Sequence, residues 1–105
     1  MIHIENTQQF DEVIKEGITL VDFYATWCGP CRMLSPFIEE LDSEYGEKVK
    51  VVKLDVDECG EVASRFAVNA IPAIMIFKDN ELKKTSVGFL PKEDIVKLIE
   101  SVLGE

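Results

Sequence analysis

The stretch Val21-Asp22-Phe23-Tyr24-Ala25-Thr26-Trp27-Cys28-Gly29-Pro30-Cys31 decides how this chain folds. Its first half belongs to a run, Ile18 to Ala25, that is nearly all apolar and rich in β-formers, the pattern of a strand buried on both faces. Its second half sets two thiols one helical turn apart, with Gly29-Pro30 as a turn opening a helix. A helix start has unpaired N–H groups and the positive end of the dipole, so it favours a thiolate. Cys28 is therefore expected to be the exposed nucleophile, with Cys31 held within its reach. The same context separates a redox dithiol from a stable structural disulfide and from a zinc knuckle. A structural zinc site takes four ligands, and beyond the pair only Cys59 and His3 remain, neither at knuckle spacing.

Upstream of the dithiol, strand alternation puts Leu20, Asp22 and Tyr24 on one face and Val21, Phe23 and Ala25 on the other. Both faces read as buried, so Asp22 is a carboxyl inside the core. Its proton affinity rises there unless it is paired. One reading is a structural Asp satisfied by a backbone N–H. Its position one strand end before the thiols favours the other, a proton-transfer group. Lys53 shares a strand face with Val49, Val51 and Asp55. It is a candidate partner for Asp22, a partner for Asp55, or a surface Lys whose stem covers apolar area. Trp27 is either a core aromatic or a platform for substrate. Gly88 is either a plain turn or a point of close backbone approach. Ile71-Pro72 precedes an apolar strand, and spacing does not decide whether its peptide bond is cis.

Working outward, Ile2 and Ile4 alternate as a short strand, and Asn6 with Gln9 reads as a helix cap. Phe10, Val13 and Ile14 give the inner face of that helix, with Gly17 closing it. After the dithiol, Leu34, Phe37, Ile38 and Leu41 recur at helical spacing as far as Tyr45, and Pro36 inside the helix should kink its axis. Val49 to Val56 is a second buried strand, followed by a short helix at Val62, Ala63 and Phe66. Ala73–Phe77 and Leu82–Val87 form a hairpin turning at Asp79-Asn80. Pro91 fits the first turn of a last helix, with Ile95, Leu98, Ile99 and Val102 inward and Gly104 at its end. The order β-α-β-α-β-α-β-β-α predicts a mixed sheet with helices on both faces.

With 105 residues, 47% of them hydrophobic and 30% charged, the composition fits one ordinary globular domain over residues 1–105. The net charge of −9 argues against nucleic acid and anionic membranes as partners. No apolar run approaches the roughly 20 residues that span a bilayer. Met1 to Asn6 lacks the basic, apolar start of a secretory leader, and three cysteines are too few for a disulfide scaffold. A cytoplasmic protein is expected. Cys59 reads as a packing residue, since its acidic neighbours Asp57, Glu58 and Glu61 disfavour a thiolate.

These features together resemble the thioredoxin family, and the likeness spans essentially all 105 residues. It is carried by Val21 to Cys31, Pro36, Lys53-Leu54-Asp55-Val56-Asp57, Ala70-Ile71-Pro72, Phe77-Lys78 and Val87-Gly88. Gly-Pro between the cysteines resembles the reducing members rather than the oxidases or isomerases. Tyr24, Ala70, Ala73 and Asp79-Asn80 depart from the commonest pattern; none touches the dithiol, but positions 70 to 73 bear on partner preference.

The resemblance implies an α/β thioredoxin fold, a mixed five-stranded sheet in the order 1-3-2-4-5 flanked by four helices. It implies a cis bond before Pro72, facing the dithiol, and an apolar groove of Trp27, Gly29, Pro30, Ile71, Pro72 and Gly88 for substrate chains. It also pairs Lys53 with Asp22. The implied activity is that of a redox-active electron carrier and general protein-disulfide reductase. Cys28 attacks, Cys31 resolves with help from Asp22, and a thioredoxin reductase recharges the pair. No bound cofactor is expected beyond the Cys28–Cys31 couple. Implied substrates are disulfide-containing proteins of the ribonucleotide reductase, peroxiredoxin or methionine sulfoxide reductase types, met by a monomer. Two rival roles remain on sequence alone. One is a non-catalytic subunit, and the other is an oxidase or isomerase in an oxidising compartment.

Overall fold

Nine elements in the expected order make up the computed structural model, which describes residues 1–105. They are β1 (Ile2–Ile4), α1 (Thr7–Val13), β2 (Ile18–Tyr24), α2 (Gly29–Tyr45), β3 (Val49–Asp55), α3 (Gly60–Arg65), β4 (Ala73–Lys78), β5 (Glu81–Val87) and α4 (Lys92–Leu103). The five strands form one sheet in the order β1-β3-β2-β4-β5. β1 and β2 both pair parallel to β3, while β4 runs antiparallel to β2 and to β5. The central place of β2 follows from its two apolar faces. Only Ile18 and Tyr24, at its ends, are partly exposed. The outer strand β5 instead carries Glu81, Lys83 and Lys84, charges that discourage pairing with another chain's edge.

Alternation along the strands builds a separate core on each face of the sheet. Val21 and Phe23 of β2 pack with Phe10, Val52, Leu54, Val62, Met75 and Phe77. Phe10 lies edge-on to Phe77, with centroids 5.7 Å apart, and Phe66 closes the aromatic group at 5.3 Å from Phe77. On the other face Leu20 packs with Leu34, Ile38 and Leu41 of α2, Ile74 and Ile76 of β4, and Ile95, Ile99 and Val102 of α4. Asp22 projects to this second face. It pairs in register with Lys53 on one side and Ile74 on the other.

Local signals set most of the boundaries. Asn6 caps α1 by accepting the Gln9 N–H at 2.8 Å, and the Gln9 side chain returns to the Glu5 N–H at 2.6 Å. Asp79 and Asn80, at φ of 49° and 73°, form the β4–β5 turn, the geometry for which Asn and Asp are tolerant. Three expectations are corrected. Gly17 does not close α1, which ends at Val13 with Ile14 as its C-cap. Gly17 sits at φ +74° in the turn into β2, where its N–H donates to the Asp79 carboxylate at 2.8 Å. Pro91 is the N-cap of α4 in extended geometry rather than part of its first turn, since a fixed φ suits either place. Leu98 is only partly buried, because α4 turns Ile95, Ile99 and Val102 fully inward and leaves 98 on the flank.

Candidate active site

Three chain segments meet at one end of the sheet: the β2–α2 junction, the end of β3, and the loop entering β4. Residue 28 is the N-cap of α2, with Gly29 and Pro30 in the first turn. Pro30 has no N–H to leave unpaired there. Extended backbone at Cys28 (φ −88°, ψ 112°) turns its Sγ back over the helix start, where it accepts the Cys31 N–H at 3.2 Å. This is the hydrogen bond a Ser or Asp cap makes, and a thiolate accepts it more strongly than a thiol. Cys28 and Cys31 are joined as a disulfide, with Cα atoms 5.3 Å apart.

The exposure expected of Cys28 needs correction. It is 4% exposed, the same as Cys31. As the cap it folds inward, and the disulfide packs against Ala25, Tyr24, Val56 and Ile71. The site meets solvent through the neighbours of the sulfurs instead. Gly29 and Pro30 are exposed, and Trp27 is 67% exposed. Trp27 is therefore a surface aromatic. Its indole N–H donates to the Asp57 carboxylate at 2.8 Å, which fixes the ring against the end of β3. Spacing in the sequence carries no sign of that bond.

The Ile71–Pro72 peptide bond is cis. Ile71 is half-buried against the disulfide cluster, and Pro72 is buried behind it. Gly88 follows β5 at φ +94°, and its N–H donates to the Pro72 carbonyl at 2.7 Å. A Cβ at Gly88 would meet nothing within 4 Å, so backbone conformation, rather than lack of space, favours glycine. That open space also leaves the backbone approachable. Beyond it, Val87 and Phe89 add exposed apolar surface, as Met33 does on α2.

Asp22 is 1% exposed, and neither carboxylate oxygen accepts a hydrogen bond from a protein group. An Asp satisfied by a backbone N–H is therefore not what the fold contains. Burial pushes its pKa from 3.8 up to about 6, and the charge of Lys53 opposes that rise. The two residues face each other across the β2–β3 register. They form no direct ion pair, because the Lys53 ammonium is held elsewhere. Its Nζ donates to the Ser35 hydroxyl at 3.1 Å and lies 4.5 Å over the Tyr24 ring. Ser35 stands one helical turn after Cys31, and that i, i+4 relation is the only trace of the contact in the sequence. A pocket of about 190 Å³ opens here, lined by Tyr24, Ala25, Thr26, Cys31, Arg32, Ser35 and Lys53. It sets the polar groups of Thr26, Arg32, Ser35 and Lys53 among apolar surface on the Cys31 side of the disulfide.

Cys59 caps α3 without a side-chain bond to its N–H groups. It is buried in the Phe10 core, with its Sγ 3.6 Å from the Ile4 carbonyl. Burial, followed by Glu58 and Asp55, raises its thiol pKa. No group of three or more His, Cys, Asp or Glu side chains is placed to hold a metal ion. No helix is long and apolar enough to cross a membrane.

Comparison with known proteins agrees with this geometry. The family model described as Thioredoxin matches residues 1–101. The thioredoxin of Bacillus subtilis (strain 168) is 49% identical over 96 residues, covering 91% of this chain and 92% of that protein. That of Listeria monocytogenes serovar 1/2a is 48% identical over 90 residues, 86% of this chain and 87% of that one. Among solved structures, a thioredoxin of Plasmodium falciparum superposes with a TM-score of 0.90 at 31% identity, covering 96% of this chain and 98% of that chain. The oxidised form of mitochondrial thioredoxin 3 from Saccharomyces cerevisiae gives 0.88 at 34% identity, covering 96% and 94%.

Proposed function

The chain belongs to the thioredoxin family and carries its redox-active disulfide, and from that premise we propose that it reduces disulfides in other proteins. The observation that carries the reading is Cys28 as the N-cap of α2, its Sγ accepting the Cys31 N–H one bond away from Cys31 Sγ. In the reduced protein the Cys28 thiolate attacks one sulfur of a substrate disulfide. A mixed disulfide forms and the other substrate sulfur leaves as a thiolate. Cys31, losing its proton to Asp22, then attacks Cys28 Sγ. The second substrate thiolate leaves, and the Cys28–Cys31 bond forms. Two electrons pass from the dithiol to the substrate, and the proton on Asp22 returns to solvent or to the departing thiolate.

Trp27, Gly29, Pro30, Ile71, Pro72 and Gly88 would border the groove for the substrate chain. A strand-like segment would bond the open backbone beside Gly88 while apolar side chains meet Ile71 and Trp27. The oxidised pair would be recharged by a thioredoxin reductase, and the work would take place in a reducing compartment such as the cytoplasm. Reduction of insulin disulfides by dithiothreitol tests the reading. Wild type should accelerate it, and Cys28→Ser should not. Equal acceleration by both would remove Cys28 from the chemistry and reopen the non-catalytic role.

A further inference from the structure

Lys53 and Asp22 stand opposite each other on neighbouring strands, facing α2, yet the ammonium and the carboxylate do not meet. An ammonium facing a buried carboxylate across a strand pair ordinarily moves to it, since a charge-assisted bond is about twice as strong as a neutral one. Something must hold the ammonium back. The contacts available to it are the Ser35 hydroxyl at 3.1 Å and the Tyr24 ring at 4.5 Å. Both lie on the wall of the pocket that reaches Cys31.

We propose that Ser35 is a positioning residue for the resolving step: its hydroxyl tethers the Lys53 ammonium beside the pocket and so keeps that charge off the Asp22 carboxyl. The inference rests on the reductase reading, in which Asp22 accepts the Cys31 proton. Without the hydroxyl, the nearest carboxylate across the register is Asp22. Asp55, the β3 carboxylate on this face, stands opposite Tyr24 and its Oδ1 already accepts the Asp57 N–H at 2.8 Å. Of the elements around Asp22, β3 presents Lys53 and Asp55, β2 presents Tyr24, and α2 presents Cys31 and Ser35. β4 and α4 present only apolar groups, among them Ile74, Ile95 and Ile99. α2 also brings Arg32 to the pocket, but its guanidinium donates to the Thr26 carbonyl at 3.3 Å, so Lys53 is the cation opposite Asp22 and its position decides how readily Asp22 holds a proton.

The test is the carboxyl titration of Asp22, followed by carbon NMR in the oxidised protein, where neither Cys28 nor Cys31 titrates. In Ser35→Ala the released ammonium closes on Asp22, and the midpoint should fall by about one pH unit, the low end of what an opposite charge within ~4–6 Å produces. Ser35→Thr keeps a hydroxyl and should restore the wild-type midpoint. In a Lys53→Met background, Ser35→Ala should shift nothing. An unchanged or raised midpoint in Ser35→Ala overturns the proposal. So does a fall that persists without Lys53. Failure of the reductase reading has a different signature. Cys28→Ser would then accelerate insulin reduction as well as wild type while the Ser35→Ala titration still moves.

Discussion

Asp22→Asn should make the protein more stable, by an amount that depends on pH in a defined way. Asn has nearly the shape of the carboxyl and cannot ionise. In the fold the carboxyl titrates at about 6 against 3.8 for a free one, with burial as the main cause. Each pH unit of difference corresponds to 1.36 kcal/mol, so full ionisation of Asp22 costs the native state about 3 kcal/mol. Between pH 3.8 and 6 the native protein holds a proton that the unfolded chain has lost. Stability supplied by the neutral carboxyl is therefore complete below the free value and falls as pH rises through about 6. No protein group bonds the protonated acid, and the amide is nearly isosteric with it, so the two side chains differ little in the comparison below pH 3.8.

Urea unfolding of oxidised wild type and Asp22→Asn across that range measures the difference directly, since other groups titrate alike in both. The gap should be near zero at acid pH, open with a slope approaching 1.36 kcal/mol per pH unit, and level off near 3 kcal/mol at neutral pH. In thermal unfolding the plateau corresponds to a gain on the order of 10 °C for a domain of this size. A gap that stays constant with pH would refute the reasoning, because the carboxyl would then have the same proton affinity folded and unfolded.

Cys31→Ser should accumulate covalent mixed disulfides with protein substrates, visible on non-reducing gels, whereas Cys28→Ser forms none; preferential alkylation of Cys31 over Cys28 at neutral pH would reverse the two roles. Trp27→Ala removes an exposed ring held by one bond to Asp57, so unfolding should change by about 1 kcal/mol or less while KM for protein substrates rises several-fold. Phe10→Ala empties the centre of the aromatic core and should cost about 3–5 kcal/mol in urea unfolding. Cys59→Ser should leave turnover after mild peroxide unchanged, because the thiol is buried and its pKa raised; protection of the mutant relative to wild type would make Cys59 a redox sensor. Ala67 follows α3 in left-handed geometry, φ 54°, where a Cβ costs ~1–2 kcal/mol. Ala67→Gly should raise stability by about 0.5 kcal/mol, the remainder lost to greater unfolded-state entropy.

What the sequence makes legible here is what short-range periodicity encodes. The double-sided apolar run of β2 fixes the centre of the sheet, and the Asp79-Asn80 pair marks the hairpin turn. The dithiol announces its own helix start. Contacts made by the ends of long side chains are not legible. Nothing in the order of residues says that the Trp27 indole reaches Asp57, or that Lys53 reaches Ser35 instead of Asp22. The burial of Cys28 was also hidden. A helix cap can turn its side chain out to solvent or back over the first turn, and packing by Ala25 and Ile71 selects the second.

The same 3 kcal/mol that Asp22 takes from stability reappears in the chemistry. A free thiol titrates near 8.5, so passing its proton to an ordinary carboxylate of about 3.8 is uphill by roughly 6 kcal/mol. Passing it to a carboxylate of about 6 is uphill by roughly 3 kcal/mol. Desolvation thus makes Asp22 a stronger base by the amount it weakens the fold. The gain has a ceiling. A midpoint well above 7 would leave the carboxyl already protonated at neutral pH and unable to accept anything. The attraction of Lys53 supplies that ceiling, since it opposes the rise that burial causes. Lys53→Met should therefore raise the Asp22 midpoint and destabilise the protein at neutral pH. It should also move the rise of the resolving rate to higher pH, so that the variant loses most against wild type near pH 6 and recovers as the carboxyl ionises. A pH profile of resolution that coincides with wild type's would show that Lys53 does not set the proton affinity of Asp22.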